Sequence, residues 1–328
     1  MGVRISGTGS QVAEQVVTNE DLGRLGCDPD WIIQRTGIRE RRHAPEGVST
    51  GDLATEAARA AIEASGVDPA EIDLLLLATF TPDRLLPQTA STVQDRLGLV
   101  CPAMDVVAAC AGFMYALVTG AQYLGTGAAR NALVIGADTN SRVLDPNDKK
   151  TFPLFGDGAG AVVLSPGSDE QGMLAATLGA DGSGSELLTR RMGGVQQPFK
   201  AGAVADHEVG RIPWLMEMEG RPVFKWAVRL LEDTFDHVLS AADREKEAVK
   251  LWLLHQANAR ILDAATDSMG VPRERVVKHL DRYGNTSAGS IPIALDESVR
   301  AGLVEPGDEL LMCGFGAGLS WGTALWKW

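Results

Sequence analysis

A duplicated α/β architecture is the fold class this sequence predicts, and three observations predict it. Short apolar runs with strand character alternate with helical patterns along all 328 residues, as in sheets covered by helices on both faces. The chain also repeats itself: Cys110 precedes Val134 by 24 positions and Ser287 precedes Leu311 by 24, each interval crossing a helix into a strand. Finally, the turn-rich stretch Ser165-Pro166-Gly167-Ser168-Asp169-Glu170 falls near the middle. We therefore expect two similar halves, 1–167 and 168–328, each with a buried sheet.

Composition narrows the function. A hydrophobic content of 45% with 22% charged residues describes a soluble globular chain. The net charge of −13 argues against general affinity for nucleic acid or an anionic membrane surface. The longest apolar run, Leu74 to Phe80 with Thr79 inside it, is far short of a membrane span, and the N-terminus lacks a signal-peptide core. Cys27, Cys101, Cys110 and Cys313 form no CxxC pair, so a reducing cytoplasm is expected. No metal is expected either, because His43, His207, His237 and His279 have no clustered partners at ligand spacing.

Taken in order, Val3 and Ile5 alternate with polar residues and predict a first strand, although Gly2 to Ser6 also matches the loose myristoylation pattern. WIIQRTGIRERR, from Trp31 to Arg42, is the most basic stretch. An aromatic face beside guanidinium groups suits a nucleotide base and phosphates, and a solvated basic loop would read the same. Asp52 to Ser65 predicts a helix with an alanine stripe, and IDLLLLATFTP from Ile72 a buried strand. Leu85-Leu86-Pro87 is a loop before a helix ending near Leu97. NALVIGAD from Asn131 is another strand. The glycines Gly156, Gly158 and Gly160 imitate a phosphate loop, but strand-like Ala161 to Leu164 follows, so close backbone packing is expected.

In the second half Gly193 to Arg211 reads as a glycine-rich surface excursion, and Val223 to Ala241 as a helix. Arg221, Lys225 and Arg229 are spaced i, i+4, i+8 along one face of it. KLWLLHQANARI from Lys250 is a strand, a turn carrying His255, then a helix. RYGNTSAGSIPIALDESVRAGL from Arg282 has a turn at Gly284-Asn285 before a second helix, and DELLMCGFGAGLSWGTALW is strand, glycine turn, strand.

The chemistry centres on VVAACAGF, Val106 to Phe113. Small residues between a strand and a buried helix, Ala111 to Leu124, set Cys110 near a helix N-terminus, where the dipole favours a thiolate. An unusually acidic thiol is therefore expected. Cys110, His255 and Asn285 all sit on such turns. Singly, each has a plain alternative: a buried structural cysteine, a satisfied core histidine, a helix cap or turn residue.

Together, VVAACAGF, LHQANARI, YGNTSAGSIP, GFGAGLSWGTAL, WIIQRTGIRERR and FGDGAGAVVL resemble, in order and spacing, the signature segments of the β-ketoacyl-acyl-carrier-protein synthase III family. That resemblance implies a thiolase-like fold in five layers, α-β-α-β-α, and a homodimer. It implies condensation of an acyl-CoA with malonyl-acyl carrier protein, with no cofactor, the acyl-CoA being a substrate. Cys110 matches the acyl-accepting nucleophile, and His255 and Asn285 match the pair promoting decarboxylation, both as neutral donors. The backbone N–H groups of Cys110 and Ala317 match the oxyanion hole. Trp31, Arg35 and Lys149 match the coenzyme A end, and Gly220, Phe224 and Asn258 its pantetheine tunnel. Leu86 occupies the gate of the acyl pocket. Arg221, Lys225, Arg229 and Arg260 lie where the acidic carrier protein lands. Departures from the usual pattern are the glycine turn GAGLSWG, lysines at 149 and 150, and a longer Arg190–Glu219 region. Three rivals remain: a related acyltransferase of secondary metabolism, a cysteine-dependent thioester hydrolase, and a non-catalytic scaffold.

Overall fold

The run Leu74–Ala78 shows how the sequence builds the core. Alternate side chains of a strand point to opposite faces of its sheet, and here both faces are dry. Leu74, Leu76 and Ala78 join one apolar cluster, while Leu75 and Leu77 join another.

The computed structural model describes residues 2–199 and 214–328. The first half runs β1 (Gly2–Val12), β2 (Gln15–Thr18), α1 (Pro29–Thr36), β3 (Glu40–His43), α2 (Thr50–Ser65), β4 (Leu74–Ala78), α3 (Thr89–Arg96), β5 (Ala103–Val106), α4 (Gly112–Gly125), β6 (Ala132–Thr139) and β7 (Asp157–Gly167). The second runs β8 (Gly172–Ala180), β9 (Leu188–Thr189), β10 (Glu217–Met218), α5 (Gly220–Ala241), β11 (Val249–Leu254), α6 (Ala259–Ser268), α7 (Leu280–Tyr283), α8 (Ser290–Arg300), β12 (Glu309–Gly316) and β13 (Ser320–Lys327).

Two sheets carry the fold. One has the order β1-β7-β6-β4-β5, with β4 parallel to both β5 and β6; the other has the order β11-β12-β13-β8, with β11 parallel to β12. All strands of the first precede residue 168 and all strands of the second follow residue 171. The central cluster joins inward residues of both sheets to Phe113 and Leu117 of α4 and to Ile291 and Leu295 of α8. Outside the first sheet lie α2 and α3, and outside the second α5 and α6. The expected α-β-α-β-α order is what the clusters trace.

Local chemistry sets the boundaries. Helix α2 starts at Thr50, two residues before the expected Asp52, because Ser49 and Asp52 form a reciprocal cap: Ser49 N–H donates to the Asp52 carboxylate at 2.7 Å. Helix α5 starts at Gly220, so Arg221 joins Lys225 and Arg229 on an exposed helical face. The glycines of β7 do serve close packing, since a Cβ at Gly160 would lie 2.6 Å from the backbone nitrogen of Ile293 in α8. Of the expected surface excursion 193–211, residues 200–211 lie outside the described residues. Among the described residues no helix is long and apolar enough to cross a membrane.

Candidate active site

Strand β5 ends at Val106, and after Val107 and Ala108 the chain enters a tight 3-10 turn, Ala109–Ala111, that leads into α4. Ala109 has φ +46°, a left-handed conformation that redirects the backbone just before Cys110. The thiol is buried, with the residue 5% exposed. The end of β12 lies directly against it: a Cβ at Gly316 would sit 2.9 Å from Cys110 Cβ, so only glycine fits. A matching 3-10 turn, Ser287–Gly289, precedes α8 and packs against the first. It too opens on a left-handed residue, Ser287, with φ +52°.

Ser287 ties the three expected side chains together. Its hydroxyl donates to Cys110 Sγ at 3.3 Å, its N–H donates to Asn285 Oδ1 at 2.8 Å, and its carbonyl accepts from Ser290 Oγ at 2.8 Å. Ser290 Oγ in turn meets His255 Nδ1 at 2.8 Å. Asn285 is held by its own backbone, which donates to Leu154 O at 2.8 Å and accepts from Gly156 N–H at 2.9 Å. With Oδ1 engaged, Asn285 Nδ2 is its remaining donor, and it has no partner among the described residues. His255 follows β11 directly, and its ring stands edge-on to Phe315 at 5.2 Å between centroids.

This arrangement favours one His255 tautomer. Ser290 has one hydroxyl proton, and the Ser287 carbonyl can only accept, so that proton is committed there. With the Ser290 proton on the Ser287 carbonyl, Nδ1 of His255 carries the hydrogen that it shares with Ser290, and Nε2 keeps a lone pair. Burial, with His279 beside it, holds the imidazole down to about 3, so it is neutral at physiological pH. The family resemblance implies that His255 donates through an imidazole N–H; in this tautomer Nδ1 donates and Nε2 is free to accept a proton.

The acidic thiol is also corrected. Burial pushes Cys110 up to about 12, with the Ser287 hydroxyl pulling down and Asp138 pushing up. Raising a thiol from 9.0 to about 12 corresponds to about 4 kcal/mol. A helix N-terminus returns roughly 0.3–2 kcal/mol, so burial wins. Asp138 is itself buried and saturated. One oxygen accepts from Thr79 Oγ1 (2.9 Å), Phe80 N–H (3.0 Å), Thr81 N–H (3.2 Å) and Thr81 Oγ1 (2.7 Å), and the other accepts from Ala288 N–H at 3.2 Å. It thus binds the end of β4 to the turn that carries Ser287.

Cys110 opens onto a cavity of about 390 Å³ whose walls include Phe80, Phe155, Leu188, Arg190 and Ala317. Comparison with known proteins decides what this site belongs to. The family model for 3-oxoacyl-acyl-carrier-protein (ACP) synthase III matches residues 104–182, and the model for its C terminal matches 239–328. A β-ketoacyl-acyl-carrier-protein synthase III of Rhodopirellula baltica is 52% identical over 345 residues, covering 100% of this chain and 99% of that one. This chain belongs to the β-ketoacyl-acyl-carrier-protein synthase III family. A solved 3-oxoacyl-acyl-carrier-protein synthase III from Aquifex aeolicus superposes with TM-score 0.90 at 40% identity, covering both chains fully. The priming β-ketosynthase of the R1128 polyketide pathway superposes with TM-score 0.91 at 35% identity over 99% of this chain and 96% of that one.

The other residues expected from the family resemblance separate into groups. Trp31 is exposed with the Arg35 guanidinium 5.8 Å from its ring, and Asn258 Nδ2 donates to Arg35 O at 3.2 Å. Arg260 lies 5.8 Å from the Phe224 ring, joining the expected tunnel to the expected landing patch, and Gly220 opens the same helix as Phe224. Lys149 is exposed on the loop before β7. Ala317 shares the cavity wall with Cys110. Leu86 is not brought to the site: it is 84% exposed and lines none of the Cys110 cavity, because its loop projects from the chain surface. Ser287, Ser290, Asp138 and Arg190 escaped the sequence reading of the site. The first two stand inside NTSAGS, where the adjacent asparagine was the only signal.

Proposed function

We propose that the chain is a decarboxylating condensing enzyme. It moves an acyl group from coenzyme A to Cys110 and joins it to the malonyl group of malonyl-acyl carrier protein, giving 3-ketoacyl-acyl carrier protein, CO2 and coenzyme A. The observation that carries this reading is the convergence on Ser287 and Ser290 of a buried thiol, an imidazole with an open lone pair, and a carboxamide donor.

In the first half-reaction Cys110 Sγ attacks the thioester carbon while its proton passes to His255 Nε2. The backbone N–H groups of Cys110 and Ala317 meet the tetrahedral oxyanion. Its collapse breaks the bond to coenzyme A, whose thiolate takes the proton back from the strongly acidic His255 imidazolium. In the second, the malonyl carboxylate leaves as CO2 and its bonding electron pair becomes an enolate. Asn285 Nδ2–H meets the enolate oxygen. The carbon attacks the acyl group, the bond to Sγ breaks, and Sγ takes a proton from water. One proton is consumed per turnover.

In this reading Trp31, Arg35 and Lys149 receive the nucleotide end of coenzyme A, and Gly220, Phe224 and Asn258 its pantetheine arm. Arg221, Lys225, Arg229 and Arg260 receive the acidic carrier protein. The exposed apolar loop at Leu85 and Leu86, with Val107, supports a homodimer in which a second copy covers that surface, and Leu86 gates the acyl pocket only there. The segregation of strands supports the division 1–167 and 168–328. A cytoplasmic setting completes the reading. The test is product analysis with an acyl-CoA and malonyl-acyl carrier protein. Equimolar CO2, coenzyme A and 3-ketoacyl product are expected, whereas acyl-CoA hydrolysis without malonyl consumption overturns the proposal in favour of a hydrolase.

A further inference from the structure

The cavity beside Cys110 has a cation in its wall that the chemistry above does not use. Phe80, Phe155, Leu188 and Met216 make most of that wall apolar, and Arg190, just past β9, interrupts it. Trp31, Arg35, Phe224 and Asn258 contribute nothing to this cavity, so it is distinct from the surface expected to hold coenzyme A. Arg190 also borders a neighbouring cavity of about 440 Å³ lined by Thr81, Thr139 and Phe199, so its side chain stands where the two adjoin.

The guanidinium is only partly employed. Its Nε donates to Trp214 O at 3.1 Å, and neither Nη makes a hydrogen bond or ion pair among the described residues. Burial lowers its pKa and Asp138 raises it. Asp138 is nevertheless no ion-pair partner, because its two oxygens already take five donors from Thr79, Phe80, Thr81 and Ala288. A half-buried cation in an apolar wall is unfavourable unless something supplies the opposite charge. The two Nη groups of a guanidinium form a planar fork that pairs with a carboxylate through parallel hydrogen bonds.

We propose that the acyl group accepted at Cys110 ends in a carboxylate, a ω-carboxyacyl thioester of coenzyme A, and that Arg190 binds that terminus. This rests on the reading of Cys110 as the acyl acceptor and names its substrate class. The transfer step is unchanged: Sγ bonds the thioester carbon, coenzyme A leaves with a proton, and the distal carboxylate stays ionised throughout.

The experiment is competitive acylation of the intact protein by pairs of equal length: succinyl- against butyryl-CoA, glutaryl- against valeryl-CoA, adipyl- against hexanoyl-CoA. Intact mass reads the Cys110 adducts. At the best length the wild type should favour the carboxylate-ended chain by about tenfold to hundredfold. Arg190→Leu should reverse that preference, and Arg190→Lys should keep its direction. Thermal melting checks that each variant folds; if Arg190→Leu does not, the wild-type ratios and Arg190→Lys decide. A wild type that prefers the alkyl chain at every length, or a ratio unmoved by Arg190→Leu, overturns the assignment while leaving the acyl-transfer reading intact. Failure of every thioester to label Cys110 overturns both.

Discussion

Replacing His255 with alanine should turn acylation of Cys110 from a pH-independent reaction into one that climbs with pH. With burial pushing its thiol up to about 12, Cys110 is protonated at pH 7, so the proton must leave as the sulfur attacks. His255 is placed to take it: Nδ1 is tied to Ser290, Nε2 holds the lone pair, and the ring is held down to about 3. The base is thus already unprotonated above about pH 4 and the thiol still protonated below about pH 11, which leaves a flat rate between pH 5 and 9 in the wild type. Without the imidazole, hydroxide must do the work. The acylation rate at pH 7 should fall by about 10²–10⁴. It should then rise about tenfold per pH unit, because the thiolate fraction of a high-pKa thiol grows that way. Quenched-flow intact mass of the acyl adduct, at a series of pH values in both proteins, reads this directly. An alanine variant that acylates at the wild-type rate, or with a flat profile, would refute the base assignment.

The remaining predictions separate the other parts of the site. Asn285→Ala should still form the Cys110 adduct but lose about 10²–10³ in release of labelled CO2 from malonyl-carrier protein, and Asn285→Asp should not restore it, since a carboxylate repels the enolate. Lys225→Glu combined with Arg229→Glu should raise the carrier-protein KM and spare acylation by acyl-CoA, and wild-type carrier binding should weaken with salt; equal loss in both half-reactions would point to a folding defect.

Much of this was legible in the chain because periodicity and spacing report local structure. The leucines at 74–77 announced a strand buried on both faces, and the turns bearing Cys110, His255 and Asn285 were visible as small or polar residues after apolar runs. What escaped depends on how distant segments meet. Ser287 read as one more turn residue, because its role comes from a left-handed backbone that sends hydroxyl, N–H and carbonyl to three partners. The helix N-terminus under Cys110 was correctly inferred, yet the thiol came out raised, since sequence reports the dipole but not the loss of water around the sulfur. Arg190 carried no signal: a cation in a polar stretch looks solvated until the fold sets it in an apolar wall. The exposure of Leu86 was not legible either, because a position in a motif does not give the direction in which a loop projects.

The central claim is that Cys110 carries the acyl group through the condensing reaction. It is tested most directly by treating the protein with an accepted acyl-CoA, chasing half the sample with malonyl-acyl carrier protein, and mapping the acyl mass by peptide. The account predicts acyl mass only on the peptide containing Cys110, lost in the chased sample with an equimolar yield of CO2 and 3-ketoacyl-carrier protein, and no such cycle in Cys110→Ser. Acyl mass on Cys27 or Cys101, or a Cys110 adduct that the malonyl substrate leaves in place, would contradict it.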